Sequence, residues 1–131
     1  MGNYTAEIIR NAERINQLKK RIDDTLKHRD KSDHNRREWE EACAEFHAQY
    51  DALAFPGGIA GAYDRILSGQ SGAVEAALCF LECRPYFFRS GYMFKDILRK
   101  TKRAPLNPTQ QARLDAVIVA YEKYRDSRKQ T

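Results

Sequence analysis

Apolar side chains recur three or four residues apart along most of this chain, and no stretch shows sustained alternation of apolar and polar residues between turn dipeptides. A 3.6-residue period puts such positions on one face of an α-helix, whereas a half-buried strand needs a period of two. Ile8, Ala12, Ile15, Leu18, Ile22 and Leu26 make one stripe from about Thr5 to Lys27, opposite a charged face. Asp30-Lys31-Ser32-Asp33 interrupts it, and Ser32 or Asp33 can cap a second helix by accepting from its free N–H groups. That helix carries Trp39, Cys43, Phe46, Tyr50 and Leu53, spaced four, three, four and three. Two stripes joined by a short polar loop predict an antiparallel helical hairpin over residues 1–54.

Beyond the hairpin the periods are shorter and the breaks closer. Phe55-Pro56-Gly57-Gly58 cannot continue a helix cheaply. A short helix is expected from about Ile59 to Leu67, with Gly69 suited to the left-handed position past its end. Ser71 is read as the cap of a helix running to about Cys83, closed by Arg84-Pro85, and Tyr86-Phe87-Phe88 as a helical turn. Ser90-Gly91 opens a helix to about Arg103, with Phe94, Ile97, Leu98 and Thr101 on its apolar side. Asn107-Pro108 is a start signal, a capping side chain followed by proline at the first helical position. The last helix is expected to turn Leu114, Val117, Ile118, Tyr121 and Tyr124 inward and to fray from Ser127. The fold class is therefore all-α, with five to seven helices: one domain over residues 1–131, the hairpin packing on a compact cluster over residues 59–126. At 131 residues such a chain can bury a core without disulfides or metal.

Function classes narrow by exclusion. No apolar run is long enough to span a bilayer. The opening Met1-Gly2-Asn3-Tyr4-Thr5-Ala6 lacks the apolar core of an export signal and has Ala6 where a myristoylation pattern wants Ser or Thr. Three cysteines, Cys43, Cys79 and Cys83, are an odd set for a secreted disulfide framework. A cytoplasmic protein without membrane contact is expected. Cys43 with His47, and Cys79 with Cys83, are each four apart on a helix, a spacing that would suit a structural zinc site only if the pairs met. Cys43 already belongs to an apolar stripe, so the cysteines are read as small core hydrophobes and no metal or other cofactor is expected. His28 and His34 flank a loop. Glycine-rich phosphate loops, nucleophile elbows and His-Glu-x-x-His motifs are missing, and the adjacent acids Asp23-Asp24 and Glu40-Glu41 point different ways on a helix. The chain is not expected to be an enzyme.

The net charge of +5 is segregated. Residues 1–37 hold ten basic and six acidic side chains, residues 38–82 one and eight, and residues 83–131 twelve and four. In projection Lys95, Arg99, Lys102 and Arg103 share about a third of one helix circumference, with Arg84 and Arg89 just upstream. The candidate anion- or partner-binding segment is Arg84, Tyr86, Arg89, Ser90, Gly91, Tyr92, Lys95, Arg99, Lys102 and Arg103. Ser90 would cap the helix, Gly91 would let a partner approach the backbone, and the rings beside arginines could stack bases or anchor a protein. The leading expectation is a helical binding or adaptor protein that engages another protein or, through the hairpin, a second copy of itself. The alternative is weakly specific nucleic-acid binding through the basic 84–103 surface, since no motif for sequence readout is present.

Overall fold

The computed structural model describes residues 3–129. They form six α-helices and no strand: α1 (Thr5–Leu26), α2 (Asp33–Ala54), α3 (Ala62–Leu67), α4 (Ser71–Cys83), α5 (Ser90–Arg103) and α6 (Pro108–Lys129). α1 and α2 pack along each other as the expected hairpin. Ser32 starts α2 by accepting from the Asn35 backbone N–H at 3.0 Å. In the seam Ala42 and Phe46 are buried, while Trp39, Cys43, Tyr50 and Leu53 are half-buried. At the other end of the chain Asn107 and Gln110 cap α6 reciprocally: Asn107 Oδ1 accepts from the Gln110 backbone N–H at 2.8 Å, and Gln110 Oε1 from the Asn107 N–H at 2.9 Å.

α4 sits at the centre. It is apolar nearly all round, with Val74 and every residue from Ala76 to Leu81 buried, which is the pattern of a helix covered on all sides. α1, α3, α5 and α6 all pack on it. One cluster of buried side chains draws from all six helices, including Ile15 of α1, Phe46 of α2, Ile66 of α3, Ile97 of α5 and Leu114 of α6. Phe80 is its aromatic pivot, meeting Phe55 at a centroid distance of 6.0 Å and Phe87 edge-on at 6.3 Å. The middle of the chain spends part of its negative charge inside this framework. Arg14 and Arg21 of α1 both pair with Glu45 of α2. Arg113 of α6 grips α4 through Glu82 (Nη2–Oε1 2.6 Å, Nε–Oε2 3.0 Å) and Glu75 (2.7 Å). Those carboxylates, Glu82 foremost, push its guanidinium further above its ordinary pKa. The grip fixes the register of α6 on α4.

Four local expectations are corrected. α3 begins at Ala62 rather than Ile59, because Asp51 at the end of α2 holds the preceding loop: its carbonyl accepts from the Ile59 N–H and its Oδ1 from the Ala60 N–H. Ser71 is the first residue of α4 and Gln70 takes the cap position, without a side-chain bond. Tyr86-Phe87-Phe88 is not a helical turn. Arg84 closes α4 with left-handed backbone at φ 49°, and Pro85 biases its predecessor away from helix. Finally α6 stays helical through Lys129, where fraying from Ser127 was expected; Gln130 and Thr131 lie outside the described residues.

Two glycines give opposite predictions. Gly69, in the turn after α3, has φ +77°, and a Cβ there would lie 2.5 Å from Cγ of Pro105. Gly69→Ala should therefore cost about 2–3 kcal/mol and lower Tm by roughly 10 °C. Gly91, in the first turn of α5, has ordinary helical backbone and open space where a Cβ would go. Gly91→Ala should leave Tm unchanged or raise it by a few degrees, since alanine is the better helix former by about 0.5–1 kcal/mol. Thermal unfolding of the two variants side by side checks both.

α3 and α5 are joined by the Tyr63 hydroxyl, which donates to Asp96 Oδ2 at 3.4 Å. Burial, then the Asp96 carboxylate, pushes the Tyr63 phenol up to about 12. The folded chain keeps this proton where the unfolded chain loses it, near the ordinary value of 10. Its contribution is complete below pH 10 and is lost as pH climbs from 10 towards 12. In urea titrations across that window, wild type should lose stability faster than Tyr63→Phe; parallel curves would contradict this.

Candidate nucleic-acid interface

The segment between α4 and α5 is pinned by the hairpin. Asn16 of α1 donates through Nδ2 to the Tyr86 carbonyl at 2.9 Å, and the Tyr50 hydroxyl of α2 donates to the Phe88 carbonyl at 2.7 Å. Burial raises the Tyr50 phenol above its ordinary pKa. Phe87 is driven inward onto Phe80 and Tyr50, and its backbone N–H donates to the Ser90 hydroxyl at 3.0 Å. The chain then has to leave Tyr86 and Phe88 outside. Tyr86 is 86% exposed and Tyr92, in the first turn of α5, is 73% exposed.

These residues line a groove of about 1070 Å³, whose far wall is the C-terminal half of α6 and whose floor reaches Asn16 and Lys19 of α1. Seven cationic side chains line it: Lys19, Arg84, Arg89, Lys95, Arg125, Arg128 and Lys129. Among the described lining residues there is no carboxylate, histidine or cysteine. Lys19 is also paired with Asp23 of its own helix at 2.6 Å. Arg84 lies over the Tyr124 ring at 3.6 Å from its centroid, with Phe94 at 5.1 Å and Tyr121 at 5.5 Å. Each such contact contributes about 0.5–1 kcal/mol at a wet site, and together they tie the end of α4 to α5 and α6. Arg128 donates to the Tyr124 hydroxyl at 2.9 Å, and this bond holds that phenol below its ordinary pKa. Arg89 and Lys19 flank the Phe88 ring at 5.3 and 5.8 Å.

Among the described residues, only Arg84 and Arg89 carry positive φ without being glycine, at 49° and 68°. Left-handed backbone costs a side-chain-bearing residue about 1–2 kcal/mol that glycine avoids. Both turns would be better served by glycine, and both hold an arginine that lines the groove. Strain kept at a ligand-facing position is a pointer to function.

Of the ten residues singled out from sequence, Arg84, Tyr86, Arg89, Ser90, Gly91, Tyr92 and Lys95 come together in the groove. Arg99, Lys102 and Arg103 do not line it. Arg99 turns to Asp96, three residues back, and Lys102 and Arg103 lie about 10 Å further along α5 by helical rise. One expected role changes. Ser90 is the first residue of α5 and its hydroxyl serves the turn behind it; Arg89 occupies the cap position and no side chain caps the helix. Gly91 is not forced by any close neighbour. Missed altogether were the wall residues of α6 and the floor from α1. The spacing Tyr121–Arg125 and Tyr124–Arg128, each four apart, was the available signal for the wall.

Cys43 and His47 stay on α2, while Cys79 and Cys83 lie on α4. Cys79 is buried, with its thiol 3.5 Å from Glu75 Oε1 and 3.8 Å from Arg113. Among the described residues no three His, Cys, Asp or Glu side chains are grouped to hold a metal ion. No described helix is long and apolar enough to cross a membrane. Compared with protein-family models, curated proteins and solved structures, the chain matches none of them.

Proposed function

We propose that the groove between the α4–α5 turn and α6 binds nucleic acid through its phosphates, with little sequence preference and without catalysis. The observation that carries this reading is its lining of seven cations with no carboxylate among the described residues. Cations gathered around one concavity make a local positive potential that attracts a polyanion, and the counterions it displaces add to binding. The lining also lacks histidine, cysteine and acid, the usual groups for moving a proton or holding a metal. Ser90, its one aliphatic hydroxyl, already accepts a backbone hydrogen bond.

This reverses the order of the two expectations drawn from sequence. A protein-docking face would be supported by a contiguous apolar patch. Outside the groove the exposed large apolar side chains among the described residues are Ile9, Leu26 and Val119. The first two are about 25 Å apart along α1 by helical rise, and Val119 belongs to α6.

Fluorescence anisotropy with a labelled oligonucleotide tests the proposal. If five to seven phosphates are neutralised, affinity should fall by about 10²–10³ between 50 and 200 mM salt. Absence of binding at 50 mM, or binding indifferent to salt, would overturn it.

A further inference from the structure

The groove presents two kinds of aromatic ring. Phe94, Tyr121 and Tyr124 are engaged by Arg84, and Phe88 by Phe46, Lys19 and Arg89. Among the described residues Tyr86 and Tyr92 are the most exposed large hydrophobic side chains, and neither ring meets another described ring or cation. Tyr86 is nevertheless held in place, because Asn16 fixes its backbone carbonyl. Tyr92 is held by its position in the first turn of α5. Two bare, positioned rings beside phosphate-binding cations are the arrangement that single-stranded nucleic acid uses: the cations follow the backbone while bases stack on the rings.

From this juxtaposition we infer that the groove selects single strands over duplex, with unpaired bases stacked on Tyr86 and Tyr92. A duplex keeps its base faces against one another and offers mainly phosphates and groove edges. It would leave both rings bare and be held by charge alone. An acidic peptide would satisfy the cations in the same way but has no flat π-face to offer the rings. The inference rests on the polyanion reading above and narrows it to a substrate class.

The test uses the full chain at one salt concentration, 100 mM, with four probes: a labelled oligothymidylate 12-mer, a duplex of the same length, inorganic polyphosphate as competitor, and polyglutamate. Wild type should bind the single strand at least tenfold more tightly than the duplex. Tyr86→Ala/Tyr92→Ala should lower single-strand affinity by roughly a hundredfold, about tenfold per base, with an unchanged salt slope. Its affinity for polyphosphate should not move. Tyr86→Phe/Tyr92→Phe, which keeps both π-faces, should bind as wild type does. Both positions are solvent-exposed, and circular dichroism confirms that the variants fold. Equal binding of duplex, an alanine pair that binds like wild type, or polyglutamate bound as tightly as the oligonucleotide would each overturn the inference while the groove remained an anion site. Failure of every polyanion at low salt would overturn the underlying reading as well.

Discussion

Replacing Lys95 and Arg125 together by glutamine is expected to weaken oligonucleotide binding about 50-fold at 50 mM salt but only about sevenfold at 200 mM. The two numbers follow from one cause. Each cation that meets a single-strand phosphate contributes about 0.7 to the slope of log affinity against log salt. Removing two flattens the slope by about 1.4, so the curves of variant and wild type converge as salt rises. Both side chains line the groove from opposite walls, one on α5 and one on α6. Arg125 makes one loose contact with the Tyr121 ring at 5.8 Å, so the pair is expected to change Tm little. Lys102→Gln/Arg103→Gln is the matched control. It lowers the net charge by the same two units at the far end of α5, outside the groove, and should change affinity less than threefold. If both pairs weaken binding equally, the effect belongs to the overall charge and not to the groove.

The largest loss of stability should come from Phe80→Ala. Phe80 is fully buried, and its ring bridges Phe55 of the α2–α3 connection and Phe87 of the groove turn. Truncating a buried phenylalanine costs about 3–5 kcal/mol in lost transfer energy and residual cavity. Against a total of about 5–15 kcal/mol for a domain, that is at least about a fifth of the fold's stability. Urea unfolding should show a much lower midpoint with an unchanged slope. Because Phe87 anchors the segment that presents Tyr86, Phe88 and Arg89, oligonucleotide affinity should drop at temperatures where the helices are still formed. Phe80→Leu keeps most of the volume and should cost about 1–1.5 kcal/mol.

These two predictions also mark what the sequence could and could not reveal. The helices were legible because each buries one stripe, and a 3.6-residue period survives any arrangement of neighbours. Starts with a dedicated acceptor were legible too: Ser32 and Asn107 both accept from backbone N–H groups where expected. Ser71 and Ser90 misled by one residue, since each stands just inside its helix, Ser90 with its hydroxyl committed to Phe87. The candidate site was half legible. A helical projection carries angle but no distance along the axis, which is why Lys102 and Arg103 looked like companions of Lys95. The α6 wall was missed for a different reason. Tyr121 and Tyr124 were both expected to turn inward; Tyr121 does pack against the core while Tyr124 is exposed, and the faces of both support Arg84, a residue 37 and 40 positions earlier in the chain. That pairing depends on how Arg113 sets α6 against Glu75 and Glu82, a tertiary fact that no local spacing encodes.

Polyanion binding, as proposed, belongs to the groove walled by the α4–α5 turn and α6. Amide chemical-shift mapping with an oligothymidylate titration tests it most directly. Perturbations should be confined to Asn16 and Lys19, the run from Arg84 to Lys95, and Tyr121 to Lys129, with the Lys100 to Arg103 end of α5 unchanged. Shifts centred on Lys100 to Arg103 or on the hairpin tip, or no shifts at low salt, would contradict it.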